Sequence, residues 1–352
     1  MTSFGRNLRI TTFGESHGPA IGGIIDGFPS GFQIDFDSLQ KEIDKRKPGN
    51  SLLVTQRRES DKPEFLSGIS PEGITLGTPI GFIIRNQDHR SSDYSEAAKC
   101  FRPNHADFTY QSKFGIRDFR GGGRASARET ANWVVAGALA NQWLKTKGVT
   151  VKSLLTGVAQ VDYSFEIKKS LIFSPFDFSS FSLSSLKKKK LDDEILKAKN
   201  SGDSVSGCVS CLITGLPCGI GDPVFNKLHA SLAQAMMSIN AAKSFEYGIG
   251  GETHDYTGRQ QADIFFKDKS DNIATKTNFS GGIQGGISNG MPVFLKVDFK
   301  PTPTVLQEVE TIDEDGKSTV LKMKGRHDPC VAVRAVPVVK AMASLVIADF
   351  LL

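Results

Sequence analysis

Residues 120–130 read RGGGRASARET, and the chain continues directly into ANWVVAGALANQWLK, residues 131–145. Ala131, Val134, Val135, Ala138, Leu139 and Trp143 recur at the spacing of one helical face, which predicts a helix over 128–145. Three glycines entering a helix expose backbone N–H groups at the positive end of its dipole, a setting that favours phosphate. Arg120, Arg124 and Arg128 add positive charge. No GK[ST] follows, so this is not a Walker loop, and no strand with a later acidic residue makes it a dinucleotide fingerprint. A glycine-rich cap without any anion explains the loop equally well.

Outward from that helix the pattern is mixed. Leu8 to Phe13 and Ala20 to Asp26 read as strands around the turn GESHG, and Asp37 to Arg46 as a short amphipathic helix. Further helices are expected over Leu228 to Ala242 and Val338 to Leu351. The apolar segment GCVSCLITG reads as a strand with Cys208 and Cys211 as core residues, since no second ligand pair completes a tetrahedral zinc site. Between Tyr163 and Asn200 the composition shifts to Ser, Phe and Lys, which reads as a surface excursion carrying the lysine run Lys187–Lys190. No fixed-period repeat is evident.

The 352 residues are 39% hydrophobic and 23% charged, a globular balance, and the net charge of +5 is mild. A nucleic-acid module would need a larger excess, with aromatics interleaved among lysines. No run of about eighteen apolar residues and no signal-peptide core is present, so a soluble cytoplasmic protein is expected.

Basic residues cluster in turns. KRKPGNSLLVTQRRESD places Lys45, Arg46, Lys47, Arg57 and Arg58 around Pro48–Gly49, FRPNHAD supplies Arg102 and His105, and GRHDPCVAVRAVP supplies Arg326, Asp328 and Arg334. Such residues can converge on a multiply charged anion or simply face water. His17 and His105, in polar turns, are general-acid candidates. His89, His229 and His254 are read as structural.

GESHG, RPNHADFTY, GGGRASARETA, SINAAK, GGIQGGISNG, KPTPT and GRHDPCVAVRAVPV together resemble, in order, the signatures of the chorismate synthase family. The resemblance implies an α+β fold, a β-α-β sandwich with a helical layer between sheets, formed by one domain over 1–352 and assembled as a homotetramer. It implies a phosphate-eliminating lyase acting on 5-enolpyruvylshikimate 3-phosphate with reduced FMN. Arg46, Arg102 and Arg128, with Lys45 and Lys47, would hold the substrate; Arg326 would contact both ligands. Arg124, Ala125, Ser126, Asn240, Ala241, Gly285, Lys300, Pro301, Thr302, Pro303, Thr304 and Arg326 would hold the flavin. His17 would protonate the departing phosphate, His105 would serve the flavin, and Asp328 would act as a base. Lys45 and Lys47 stand where arginines are usual, Asn104 where glycine is common, and Leu52 where a base is frequent. Leu52 sits at a position linked to NADP recognition, so an external flavin reductase is expected. A nicotinamide-dependent reductase is the competing enzyme reading, against which the missing dinucleotide fingerprint counts.

Overall fold

The computed structural model describes residues 2–49, 51–55, 59–87, 99–269, 271–322 and 327–352. Two five-stranded antiparallel sheets enclose a layer of helices. The first sheet contains Ser3–Phe4 (β1), Arg9–Gly14 (β2), Ala20–Asp26 (β3), Pro63–Phe65 (β4) and Ile80–Arg85 (β5), in the order β1-β2-β3-β5-β4. The second contains Thr150–Val158 (β6), Val161–Asp162 (β7), Gly207–Thr214 (β8), Ala242–Tyr247 (β9) and a later strand, Val293–Phe299. Between β9 and that strand lie two small hairpins, Phe265–Lys267 (β10) with Ile273–Thr275 (β11), and Ile283–Gln284 (β12) with Ile287–Ser288 (β13). The later strand is therefore β14, and the sheet runs β7-β6-β8-β14-β9. A last hairpin pairs Glu308–Ile312 (β15) with Ser318–Lys322 (β16).

The helices are Phe36–Arg46 (α1), Asp107–Phe114 (α2), Thr130–Thr146 (α3), Ser164–Phe173 (α4), Ser185–Asn200 (α5), Leu228–Met237 (α6) and Ala332–Leu351 (α7). Helix α3 packs on β2 and β3, α7 packs on β6 and β8, and the two helices pack on each other, which produces the sheet-helix-sheet layering. One continuous apolar core runs through all three layers. Alternation sets the strand faces: in β5, Ile80, Phe82 and Ile84 are buried while Gly81 and Ile83 are only partly so. In β8 nearly every side chain is buried, so no alternation is visible, and burial pushes the Cys208 and Cys211 thiols up to about 12.

Three expected boundaries shift. Helix α6 stops at Met237, because Ala241 takes a left-handed backbone at φ 69° and β9 begins at Ala242. Helix α7 begins at Ala332, six residues before the expected start, and carries Pro337 inside it. Pro337 is the sixth residue of the helix, so its missing N–H leaves the Val333 carbonyl without the usual helical bond, and the ring is buried with Val338 and Ala335. The Ser-, Phe- and Lys-rich stretch of 163–200 forms α4 and α5: Leu191, Ile195 and Ala198 repeat at helical spacing and reach the core, while Lys188–Lys190 face outward.

Helices α3 and α7 cross at small residues. A Cβ on Gly137 would lie 2.4 Å from both Cα and Cβ of Ala341. Helix propensity alone predicts that Gly137→Ala stabilises by up to about 1 kcal/mol. The backbone contact reverses the sign: we expect a loss of about 2 kcal/mol from overpacking, measured by denaturant unfolding.

Candidate active site

The glycine loop rests on the GESHG turn. Gly121, Gly122 and Gly123 have φ of 71°, 86° and 51°, a left-handed run that non-glycine residues rarely adopt. A Cβ on Gly121 would lie 2.2 Å from Cε1 of His17, so the missing side chain is what lets loop and ring meet. His17 is buried, with Nδ1 3.1 Å from Ser16 Oγ. The loop enters α3 through two tight turns, and Ser126 Oγ accepts from the Arg128 N–H across them. Arg124 points away from the cavity: its guanidinium is gripped by the Glu129 carboxylate and donates to Thr12 Oγ1 and the Gly14 carbonyl. It fastens the loop to β2.

Two of the expected arginines share one carboxylate. Asp61 is fully buried; Arg46 Nη1 reaches its Oδ2 at 3.2 Å and Arg128 Nη1 donates to its Oδ1. Burial would raise the Asp61 pKa, but Arg128 and Arg46 outweigh it and hold it low. Arg46 also donates to Thr130 Oγ1 and the Ala127 carbonyl, and Arg128 Nε donates to Asn86 Oδ1. Burial, with Arg334 and Arg128 nearby, lowers Arg46 from 12.5 to about 9.

Arg102 clamps Asp107 with Nε and Nη2, each at 2.7 Å, and Arg117 approaches the same carboxylate at 3.5 Å. Asp328 accepts from the Thr55 N–H at 2.9 Å and from Arg334 Nη1 at 2.7 Å, and Arg334 Nε donates to the Arg46 carbonyl. Asn104 has the left-handed backbone that replacement of a glycine requires, φ 60°, and its carbonyl accepts from Lys300 Nζ.

These groups surround a cavity of about 390 Å³, a usual size for a small-molecule site. Arg46, Arg102, Arg117, Arg128, Arg334 and Lys300 line it, against the carboxylates Glu59, Asp107, Asp118 and Asp328. His105, Ala125, Ser126, Asn240, Ala241, Thr302, Pro303 and Thr304 complete the wall. His105 Nε2 lies 2.9 Å from Thr304 Oγ1. Burial, then Arg102 and Lys300, lowers its pKa from 6.5 to about 3, with Asp107 opposing, so the imidazole is neutral at neutral pH.

Several expected residues lie elsewhere. Lys45 bonds Glu42 on α1 and Lys47, just past its end, bonds Asp44; neither lines the cavity. Gly285 sits in the β12–β13 turn and Pro301 is exposed; neither lines the cavity, nor does His17, which stands behind Gly121. Arg57, Arg58, His89 and Arg326 fall outside the described residues. His229 stacks on Tyr247 at 5.0 Å, and His254 is exposed. Asp61, Glu59, Tyr110 and Arg117 are site residues that sequence reasoning did not single out.

Fold and cavity are those of an enzyme with a buried arginine cluster suited to a small anion. Residues 8–352 match the family model described as chorismate synthase. The chain is 48% identical to the chorismate synthase of Phocaeicola vulgatus over 99% of this chain and 97% of the relative. It is 50% identical to that of Christiangramia forsetii, with the same coverages. A crystal structure of chorismate synthase superposes with a TM-score of 0.75 at 27% identity, over 99% of this chain and 92% of that one. The chain belongs to the chorismate synthase family, phosphate-eliminating carbon–oxygen lyases of aromatic amino acid biosynthesis that act on a small-molecule substrate. No helix among the described residues is long and apolar enough to cross a membrane.

Two outcomes follow from this geometry. Gly121→Ala forces a side chain onto His17 as well as a strained φ, so turnover should fall at least about a hundredfold, the scale of a lost general acid, with the circular dichroism spectrum unchanged. His105 is depressed from 6.5 to about 3, so its stabilising effect is complete above pH 6.5 and is lost as pH falls toward 3. Between pH 7 and pH 5 the ligand-free protein should lose about 2 kcal/mol more stability than His105→Gln, read by urea unfolding at each pH.

Proposed function

We propose that the arginine cavity binds 5-enolpyruvylshikimate 3-phosphate beside reduced flavin mononucleotide and eliminates phosphate to give chorismate. The observation that carries this reading is Arg128: its Nη1 and Nε are engaged, while Nη2 is buried with no partner among the described residues. A buried guanidinium N–H without an acceptor is costly, and an anionic oxygen would satisfy it. The cofactor passes a similar test. Asn240 Oδ1 and Thr302 Oγ1, both on cavity residues, are buried and unpartnered among the described residues, and Lys300 stands at the same wall. Donor, acceptor and cation together suit a flavin with its phosphate.

Reduced flavin bound against Asn240, Thr302 and Lys300 would lend electron density to the allylic system, with no net oxidation or reduction. The chain does the rest. Arg128, Arg102 and Arg334 hold the substrate's phosphate and carboxylates, with Arg46 and Arg117 adding field behind them. Arg326 is assigned to the same work, whereas Lys45 and Lys47, which do not line the cavity, act only through their charge. Asn240, Ala241, Ala125, Ser126 and Thr302–Thr304 orient the flavin. His17 reaches past the bare Cα of Gly121 to protonate the departing phosphate. His105, neutral before binding, gains proton affinity as the substrate's negative charges arrive, and then serves as a donor toward the flavin. Asp328, fixed by Thr55 and Arg334, is the base.

The same reading takes residues 1–352 as one catalytic unit working in the cytoplasm as a homotetramer. An external reductase supplies the reduced flavin, since Leu52, 73% exposed, offers no charge to a nicotinamide nucleotide.

Anaerobic conversion of 5-enolpyruvylshikimate 3-phosphate with photoreduced FMN tests the whole; absence of chorismate would refute it. Asp328→Asn keeps the shape but removes the proton acceptor. We expect flavin and substrate affinity within a few-fold of wild type and single-turnover rates lower on the order of a hundredfold. Poor binding with normal chemistry would instead assign Asp328 to holding Arg334.

A further inference from the structure

Strand β5 ends at Arg85, which pairs with Ala20 at the start of β3, so the next residue, Asn86, lies level with the turn that precedes β3. Its backbone N–H donates to the Pro19 carbonyl at 3.1 Å, one step beyond the strand ladder. The turn is GESHG. The Gly18 N–H donates to the Glu15 carbonyl at 3.0 Å, which closes four residues with Ser16 and His17 at the two central positions. That bond closes the turn but does not fix how the turn sits on the sheet.

The Asn86 side chain supplies the missing constraint. It is buried, and Nδ2 donates to the Glu15 carbonyl at 3.1 Å and to the Gly18 carbonyl at 2.8 Å, so one amide spans both ends of the turn. Oδ1 accepts from Arg128 Nε at 2.9 Å. Both N–H groups and the oxygen are used, and reversing the amide would set its oxygen against two carbonyls. Asparagine is the shortest side chain that carries two donors and an acceptor. Arg128 in turn is held on two nitrogens, Nη1 by Asp61 and Nε by Asn86. A guanidinium is planar, so fixing two of its nitrogens directs the third, and that third is Nη2, buried with no partner among the described residues.

We infer that Asn86 is a positioning residue for phosphate elimination, setting the distance and angle between the Arg128 donor and the His17 ring; this rests on the reading proposed above, in which Arg128 holds the phosphate and His17 protonates it. Anion grip and proton donor sit on different elements, the turns before α3 and the connection between β2 and β3, and an amide bonded to both removes the slack between them. Proton transfer needs the two groups within hydrogen-bond reach, and a displacement of about 1 Å can cost on the order of a hundredfold in rate.

A double-mutant cycle with His17 tests the assignment. In single-turnover reactions at saturating substrate with photoreduced FMN, Asn86→Ala should slow the wild-type background at least about tenfold, but the His17→Gln background less than about twofold, because its effect passes through His17. Asn86→Asp keeps the shape and the acceptor for Arg128 but offers no N–H to the Glu15 and Gly18 carbonyls. It should lose rate in the same way, and it serves where the alanine variant folds poorly. Inorganic phosphate titrated by calorimetry into the flavin-free protein reads the Arg128 side, and Asn86→Ala should weaken that binding severalfold. A residue that only staples the turn would lower the melting temperature and leave the rate of the folded protein unchanged. That outcome, equal losses with and without His17, or unaltered phosphate affinity would each overturn the role given to Asn86. A wild-type protein that forms no chorismate would overturn the parent reading, whereas an active wild type with undisturbed variants would overturn the role of Asn86 alone.

Discussion

One buried carboxylate fixes the geometry of the site. Asp61 is wholly excluded from water and holds Arg46 from α1 and Arg128 from the turn before α3. Taking three charges into the interior is costly, and removing one member of such a group typically costs several kcal/mol because its partners are left uncompensated. The group earns its place by specifying arrangement. Arg46 reaches on to Thr130 and Ala127, so the end of α1 is tied to the start of α3. Arg128 reaches Asn86, whose amide donates to the Glu15 and Gly18 carbonyls of the GESHG turn. Through Asp61, segments far apart in sequence meet around one cavity.

That dependence explains what could be read in advance. The glycine loop and α3 are local features, written in eleven residues and a helical repeat, and both appear where the pattern puts them. Strand β3 coincides with its expected bounds for the same reason. Asp61 carries no local mark: it is one acid after a basic run, and only burial between two distant arginines gives it importance. Arg117 is similar, an ordinary basic residue until the fold sets it beside Asp107. Motifs report what is close in sequence, and shared ion pairs are not.

Lys45 and Lys47 show the opposite failure. Sequence adjacency groups them with Arg46, but Lys45 is rotated by about 100° from it on α1 and pairs with Glu42, and Lys47, just past the helix end, pairs with Asp44, so neither lines the cavity. Arg124 is drawn to Glu129 for a related reason: a carboxylate and two β2 acceptors lie within its reach before the cavity does. Helix α7 starts six residues before the expected Val338, although a proline stands inside it. Here Pro337 lies in the second turn, its ring is buried, and Ser153 Oγ donates to the neighbouring Val336 carbonyl.

The electrostatics of the cavity point in one direction. Burial first, and positive neighbours after it, lower Arg46 to about 9 and His105 to about 3. Among the described residues, six cationic side chains and four carboxylates line the cavity, so positive charge is in excess there. A polyanion entering such a pocket does two things at once. It relieves repulsion among the arginines, which favours binding, and it raises proton affinity at His105. Because protonation and anion binding are linked, each must strengthen the other to the same extent. By holding two of those arginines in place, Asp61 sets the geometry that an entering anion would meet.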